Sequence, residues 1–217
     1  MHGFNGRPDD IWYLAEYLRK KGLDTRTVML DGHGGTKKEL HKSSHTSWIS
    51  SVEPVIGELA REYARVNLLG FSMGGLLSVC LASLPGVDKV VLINTPIYFW
   101  NIKIILSDVA SGIFSGHFEK IAYYTTSVRT VSIKSGIDFL RILAKAKQKL
   151  KNMQNHSLII QCRNDETVHF KSAEYLKKKI GNRAELRHYE GGCHQVFTEC
   201  AELRDSVCGD IYKFLKI

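Results

Sequence analysis

No apolar run in this 217-residue chain approaches the ~18 residues expected of a membrane-spanning helix. The amino end lacks the charged, apolar and small-residue regions of a secretory signal, because Met1 is followed at once by His2, Gly3 and Phe4. A disulfide framework or zinc site is missing as well. The five cysteines, Cys80, Cys162, Cys193, Cys200 and Cys208, are odd in number and follow neither spacing. The expectation is a cytoplasmic protein with reduced thiols, no metal and no cofactor, in which Cys193 is a small packing residue beside His194. Internal repeats and low-complexity stretches are also absent. What remains is 44% hydrophobic and 24% charged residues, an ordinary globular composition, over a length that suits one domain or at most two.

Acidic residues are few in one place. Between residues 97 and 156, Asp108, Glu119 and Asp138 stand against nine lysines and arginines, so this stretch holds six of the eight net positive charges. Nucleic acid and an anionic membrane surface are two partners for such a stretch; a solvated helix face is the plainer explanation. No nucleic-acid-binding signature accompanies the charges, so nucleic acid is not expected as a partner. A weak contact with an anionic membrane surface stays open.

Short apolar runs alternate with longer amphipathic ones. Residues 25–30 (TRTVML), Val66–Phe71, 89–94 (KVVLIN), Ser157–Cys162 and Ala184–Tyr189 have the length and composition of strands. The middle three are almost continuously apolar, as parallel strands covered on both faces are. Helical patterns lie between them, at 9–21, 47–64, 73–84, 170–180 and 195–215. This alternation predicts an α/β fold with a mainly parallel sheet and helices on both sides. Residues 96–155 break the alternation, with no convincing strand and a basic-faced helix at 135–151. An insertion that long, placed after a strand, suggests a cap over a site.

Gly70-Phe71-Ser72-Met73-Gly74-Gly75 joins the strand Val66–Phe71 to the helix that follows. A serine on so tight a strand-to-helix turn is held above the sheet with strained backbone angles, and glycines beside it let neighbouring segments approach. The Met73 amide, at the helix start, then points at a developing oxyanion. Such a serine needs a base, and the base an orienting acid, in the chain order Ser, Asp or Glu, His. Asp165 follows the strand Ser157–Cys162 and His194 follows Ala184–Tyr189, so both sit at the strand ends where Ser72 sits. Glu166 competes with Asp165 for the acid. Among the other histidines, His169 lies near the same strand end and His188 lies within a strand.

The segments GFSMGG (70–75), HGFNG (2–6), LDGHGG (30–35), RNDETV (163–168) and GGCH (191–194) resemble the carboxylesterase and monoacylglycerol lipase branch of the α/β-hydrolases, over nearly the whole chain. The resemblance implies an α/β-hydrolase core at 1–95 and 156–217, with a helical cap at 96–155 lining an acyl pocket. It implies Ser72 as nucleophile, Asp165 as acid, His194 as base, and an oxyanion hole from the amides of Phe4 and Met73. Gly32-His33-Gly34 would be a structural turn, with no catalytic role for His33. In that family the HGF motif ends a buried strand lying between the counterparts of residues 25–30 and Val66–Phe71. Here the chain begins at Met1, so the expectation is a sheet without that strand and a sequence without its natural amino end. Each buried backbone group left unpaired would cost on the order of 1–3 kcal/mol.

The function expected is hydrolysis of a short- or medium-chain carboxylic ester, a monoacylglycerol among the candidates. Thioester, amide or peptide hydrolysis by the same triad is the second expectation. A catalytically silent protein that binds a ligand through its cap is the third.

Overall fold

The computed structural model describes residues 1–99 and 132–216. Four strands, β1 (Val66–Phe71), β2 (Val87–Ile93), β3 (Ser157–Cys162) and β4 (Ala184–Tyr189), form one sheet in the order β1-β2-β3-β4. All three pairings are parallel, with Phe71 opposite Ile93, Ile93 opposite Ile160 and Cys162 opposite Tyr189. Every residue of β3 is buried, as its unbroken apolar run requires of a parallel strand with both faces covered.

Eight α-helices surround the sheet among the described residues: α1 (Trp12–Lys20), α2 (Lys37–Lys42), α3 (His45–Ser50), α4 (Glu53–Glu62), α5 (Met73–Leu81), α6 (Ile133–Lys149), α7 (Lys171–Ile180) and α8 (Ala201–Lys216). Strands that follow one another in space as in sequence, joined by right-handed crossovers, send every crossover helix to the same face. That face packs Leu76 and Leu77 of α5, Ile142 and Ala146 of α6 and Leu176 of α7 against Leu68, Val90, Leu92 and Ile159. The opposite face is closed by elements outside the crossovers: α1 and α8 bring Leu14, Leu18, Val207, Ile211 and Phe214 onto Val91, Ile93, Leu158 and Ile160. The alternation of strand residues between the two cores is the period of two expected of a pleated strand.

The basic-faced helix expected at 135–151 is α6, which packs on α5 through the main core. Its Asp138 is buried and accepts hydrogen bonds from His45 of α3 (2.8 Å), Lys134 (3.0 Å) and Arg141 (3.3 Å). Residues 100–131, the first part of the expected cap, lie outside the described residues.

Two expected elements are corrected. The helix expected at 47–64 is two helices, α3 and α4, separated at Ser51 and Val52. Pro54, in the first turn of α4, has no amide to continue a helix arriving from upstream, and it disfavours helical angles in the residue before it. Residues 25–30 form no strand. Between this segment and β1 lies a cavity of about 880 Å³, lined by Thr25–Val28 on one wall and Val66–Leu69 on the other. A strand needs a neighbour to pair with, and here the neighbouring position is open. Met1 lines it and bonds to β1: its amino group donates to Leu69 O (2.8 Å), and Phe71 N donates to Met1 O (3.0 Å), one rung of a parallel ladder on the outer edge of β1.

Candidate active site

Three residues other than glycine have left-handed backbone angles among the described residues: Asn5 (φ 57°), Ser72 (φ 51°) and Asn94 (φ 44°). Such angles cost energy and persist only where the surroundings impose them. Ser72 and Asn94 lie at the C-terminal edge of the sheet, directly after β1 and β2. Ser72 is the residue between β1 and α5, and its amide donates to Ile93 O (2.8 Å). The glycines around it are required by contact. A Cβ on Gly70 would stand 2.2 Å from Gly74 O, and one on Gly74 would stand 2.3 Å from Met1 O.

His194 comes from the loop between β4 and α8. Its Nε2 lies 3.1 Å from Ser72 Oγ and its Nδ1 lies 2.8 Å from Asp165 Oδ2. A carboxylate only accepts, so Nδ1 carries the proton and Nε2 is left as the acceptor facing the serine hydroxyl. Asp165 sits in the turn after β3, 1% exposed, and its Oδ1 accepts from the amides of Thr167 (2.8 Å) and Val168 (2.7 Å). Those two bonds fix the carboxylate and turn Oδ2 toward the imidazole, where it also accepts a longer bond from Gln161 Nε2 (3.5 Å). Ser72 and His194 are 9% and 8% exposed, so the relay is shielded but not sealed. Glu166, the competing acid, turns elsewhere: its carboxylate accepts from the backbone amide of His194 (3.1 Å). His169 donates its own amide to Tyr98 O, and the imidazole of His188 stays within β4. Neither ring takes part in the Ser72–His194–Asp165 chain of contacts.

The segment 1–4 runs beside the serine, where a Cβ on Gly3 would be 3.2 Å from Ser72 Cβ. His2 secures this segment: its Nδ1 donates to Gly3 O (2.9 Å) and its Nε2 accepts from Leu30 N (3.2 Å). It uses one nitrogen as donor and the other as acceptor, so it is neutral. Burial drives its pKa down to about 3, against a smaller opposing effect of the bond to Gly3. The ring of Phe4 packs between His33, Trp48 and Phe139. Its amide and that of Met73, the first residue of α5, are the two expected at the oxyanion. His33 donates from Nδ1 to Asp31 O (3.0 Å), which holds the 30–35 turn, and burial lowers its pKa.

Two features went unread in the sequence. Cys193 and Cys200 are joined by a disulfide, which corrects the expectation of reduced thiols throughout. The turn between β4 and α8 brings their Cα atoms to 6.5 Å, within bridging range, although their spacing fits no known framework. The free cysteines, Cys80, Cys162 and Cys208, are buried. In the sequence Asn94 is only the end of a strand; its side chain contacts the His194 loop, and no local pattern marks it.

A parallel sheet carrying a serine on a left-handed strand-to-helix turn, with a histidine and a buried aspartate from later strand ends, defines the α/β-hydrolase fold, and this chain has it. It is a distant homologue of carboxylesterases and monoacylglycerol lipases. The carboxylesterase of Bacillus subtilis is 22% identical over 226 residues, spanning all of this chain and 90% of that protein. The thermostable monoacylglycerol lipase of Bacillus sp. (strain H-257) is 25% identical over 193 residues, 84% of this chain and 75% of that one. A solved structure from work on the metagenome-derived lipolytic enzymes LipS and LipT superposes with a TM-score of 0.83 at 22% identity, over 99% of this chain and 91% of its own. No protein-family model matches the chain.

Proposed function

We propose that this protein is a serine hydrolase of carboxylic esters with short or medium acyl chains, monoacylglycerols among them. The observation that carries the proposal is the unbroken relay from Ser72 Oγ through His194 to Asp165, at 3.1 and 2.8 Å. Ser72 attacks the ester carbonyl while His194 Nε2 takes its proton; Asp165 keeps Nδ1 protonated and steadies the imidazolium. The oxyanion rests on the amides of Phe4 and Met73. Collapse expels the alcohol with the proton from His194 and leaves an acyl group on Ser72. Water, deprotonated by the same imidazole, then releases the carboxylic acid and restores the serine. The chain, the ester and one water supply every group in this cycle. The carboxylesterase and monoacylglycerol lipase homologues support the ester as substrate class. In this reading residues 96–155 cap the site, with Phe139 of α6 against Phe4.

Turnover of p-nitrophenyl esters of increasing acyl length tests the proposal. Ser72→Ala should lower kcat by about 10⁶-fold, to the level left by binding and the oxyanion hole. Activity retained in that variant would place the chemistry elsewhere. A folded protein that neither turns over esters nor forms an adduct with a serine-reactive phosphonate would be a silent binder.

A further inference from the structure

We propose that Asn94 is the positioning residue that holds the base and the acid of this site in register. The proposal rests on the hydrolase reading above and adds to it a residue with no place in the triad.

Asn94 follows the last residue of β2, on the sheet edge that carries the site, and is fully buried. Its side chain bonds to the loop that bears the base and to the strand end from which the acid's turn departs. Nδ2 donates to His194 O (2.9 Å) and to Cys193 O (3.3 Å). Oδ1 accepts from Cys162 N (2.9 Å), at the end of β3. The turn bearing Asp165 starts from that same residue, since Asp165 N donates to Cys162 O (3.3 Å). The backbone of Asn94 is bonded to β3 as well, through its amide and Ile160 O (2.9 Å). One buried amide group therefore fixes the carbonyl of the residue that carries the imidazole relative to the strand end that carries the carboxylate.

Chemistry selects asparagine for this task. Two carbonyls and one amide converge on the side chain, so it must present two donors and one acceptor together, which a primary amide does. An aspartate of the same shape has an acceptor where the two carbonyls need a donor. The left-handed angle, φ 44°, is tolerated by asparagine better than by most residues. Glu166, the residue after Asp165, ties the acid's turn to His194 N, and the Cys193–Cys200 bridge braces the His194 loop; Asn94 differs in anchoring that loop to the end of β3 itself. Asn94 is too deeply buried to touch a substrate, so its effect passes through His194 and Asp165.

Asn94→Gly and Asn94→Asp test this. Glycine keeps the left-handed backbone and removes the side chain; aspartate keeps the shape and reverses the donors. A displacement of about 1 Å in a relay costs about 10²-fold in rate. In both variants kcat should fall by that factor, with KM unchanged. The acidic limb of the kcat/KM profile should move to lower pH, because a misaligned Asp165 stabilises the imidazolium less. The Nδ1 proton of His194, hydrogen-bonded to Asp165, should give a downfield proton resonance in the wild type that is lost or displaced upfield in the variants. Assays run well below each variant's Tm separate misalignment from unfolding, and if one variant fails to fold the other decides. Folded variants with kcat within twofold of wild type, an unmoved pH profile and an unmoved resonance would overturn the proposal. Absence of Ser72-dependent turnover in the wild type would instead overturn the hydrolase reading. In that case the resonance still decides the role of Asn94: its loss supports the positioning role, and its retention overturns it.

Discussion

Met1 and His2 are ionisable groups buried without a counter-charge, and both give up their protons for it. Burial lowers the Met1 amino group to about 5 and His2 to about 3, from ordinary values near 8 and 6.5. For both groups the folded chain binds fewer protons than the unfolded chain between the two values. Stability therefore rises with pH across that interval. The Met1 contribution is complete above about pH 8 and is lost as the pH falls toward 5; the His2 contribution is lost below about 6.5. Lowering the Met1 amino group from near 8 to about 5 is worth roughly 4 kcal/mol. Thermal melts should show Tm on the order of 10 °C lower at pH 5 than at pH 8. Acetylation of the amino group should flatten the part above pH 6.5. A Tm independent of pH over that range would mean the amino group is not held as described. At this scale the sequence was informative wherever a residue's neighbours in the chain define its role. Ser72, Asp165 and His194 each follow a strand and could be named from that. Asn94 could not, because its partners lie 68 and 100 residues away. The pairing of Cys193 with Cys200 is not legible in the sequence, because the turn geometry that brings them together leaves no spacing signature.

Among the elements, α6 depends most on one polar group. Burial alone would raise the pKa of Asp138, but the hydrogen bonds from His45 and Lys134 outweigh it and hold the carboxyl well below the ordinary carboxylate range. The bond from His45 fastens α6 to the start of α3, while the bond from Lys134 lies within α6. Asp138→Ala removes the shared partner of three cationic or donor groups and should cost about 3 kcal/mol. Chemical denaturation of that variant, with the midpoint falling at unchanged m-value, checks this; an unchanged midpoint would show the cluster to be idle. Strands β1 and β3 coincide with their apolar runs because burial writes the element directly into composition, whereas β4 keeps its expected bounds with Glu185 exposed and Leu186, Arg187 and His188 half-buried. Helices α3 and α4 were fused in the sequence pattern because amphipathic spacing continues across Pro54 while the backbone does not. The segment 25–30 has the composition of a strand and lacks the partner that would make it one, and composition does not report on partners.

On the scale of the whole molecule, the sheet divides the apolar residues into two cores, and the cavity beside β1 interrupts the wall between them. No property of the residues alone located that cavity, because a space between segments leaves no mark in composition. One consequence concerns time rather than shape. Along β1 the amides alternate in direction: Ser72 N reaches β2 and Phe71 N reaches Met1. The same alternation turns Leu68 and Gly70 toward β2, and Asn67 and Leu69 toward the cavity. In deuterated water the amides of Asn67 and Leu69 should therefore exchange orders of magnitude faster than those of Leu68 and Gly70, which open only with the sheet itself. Uniform protection along the strand would show that the outer edge is covered. An alternating pattern would mean that β1 keeps two clocks, a slow one on its inner side set by global unfolding and a fast one on its outer side set by the entry of solvent.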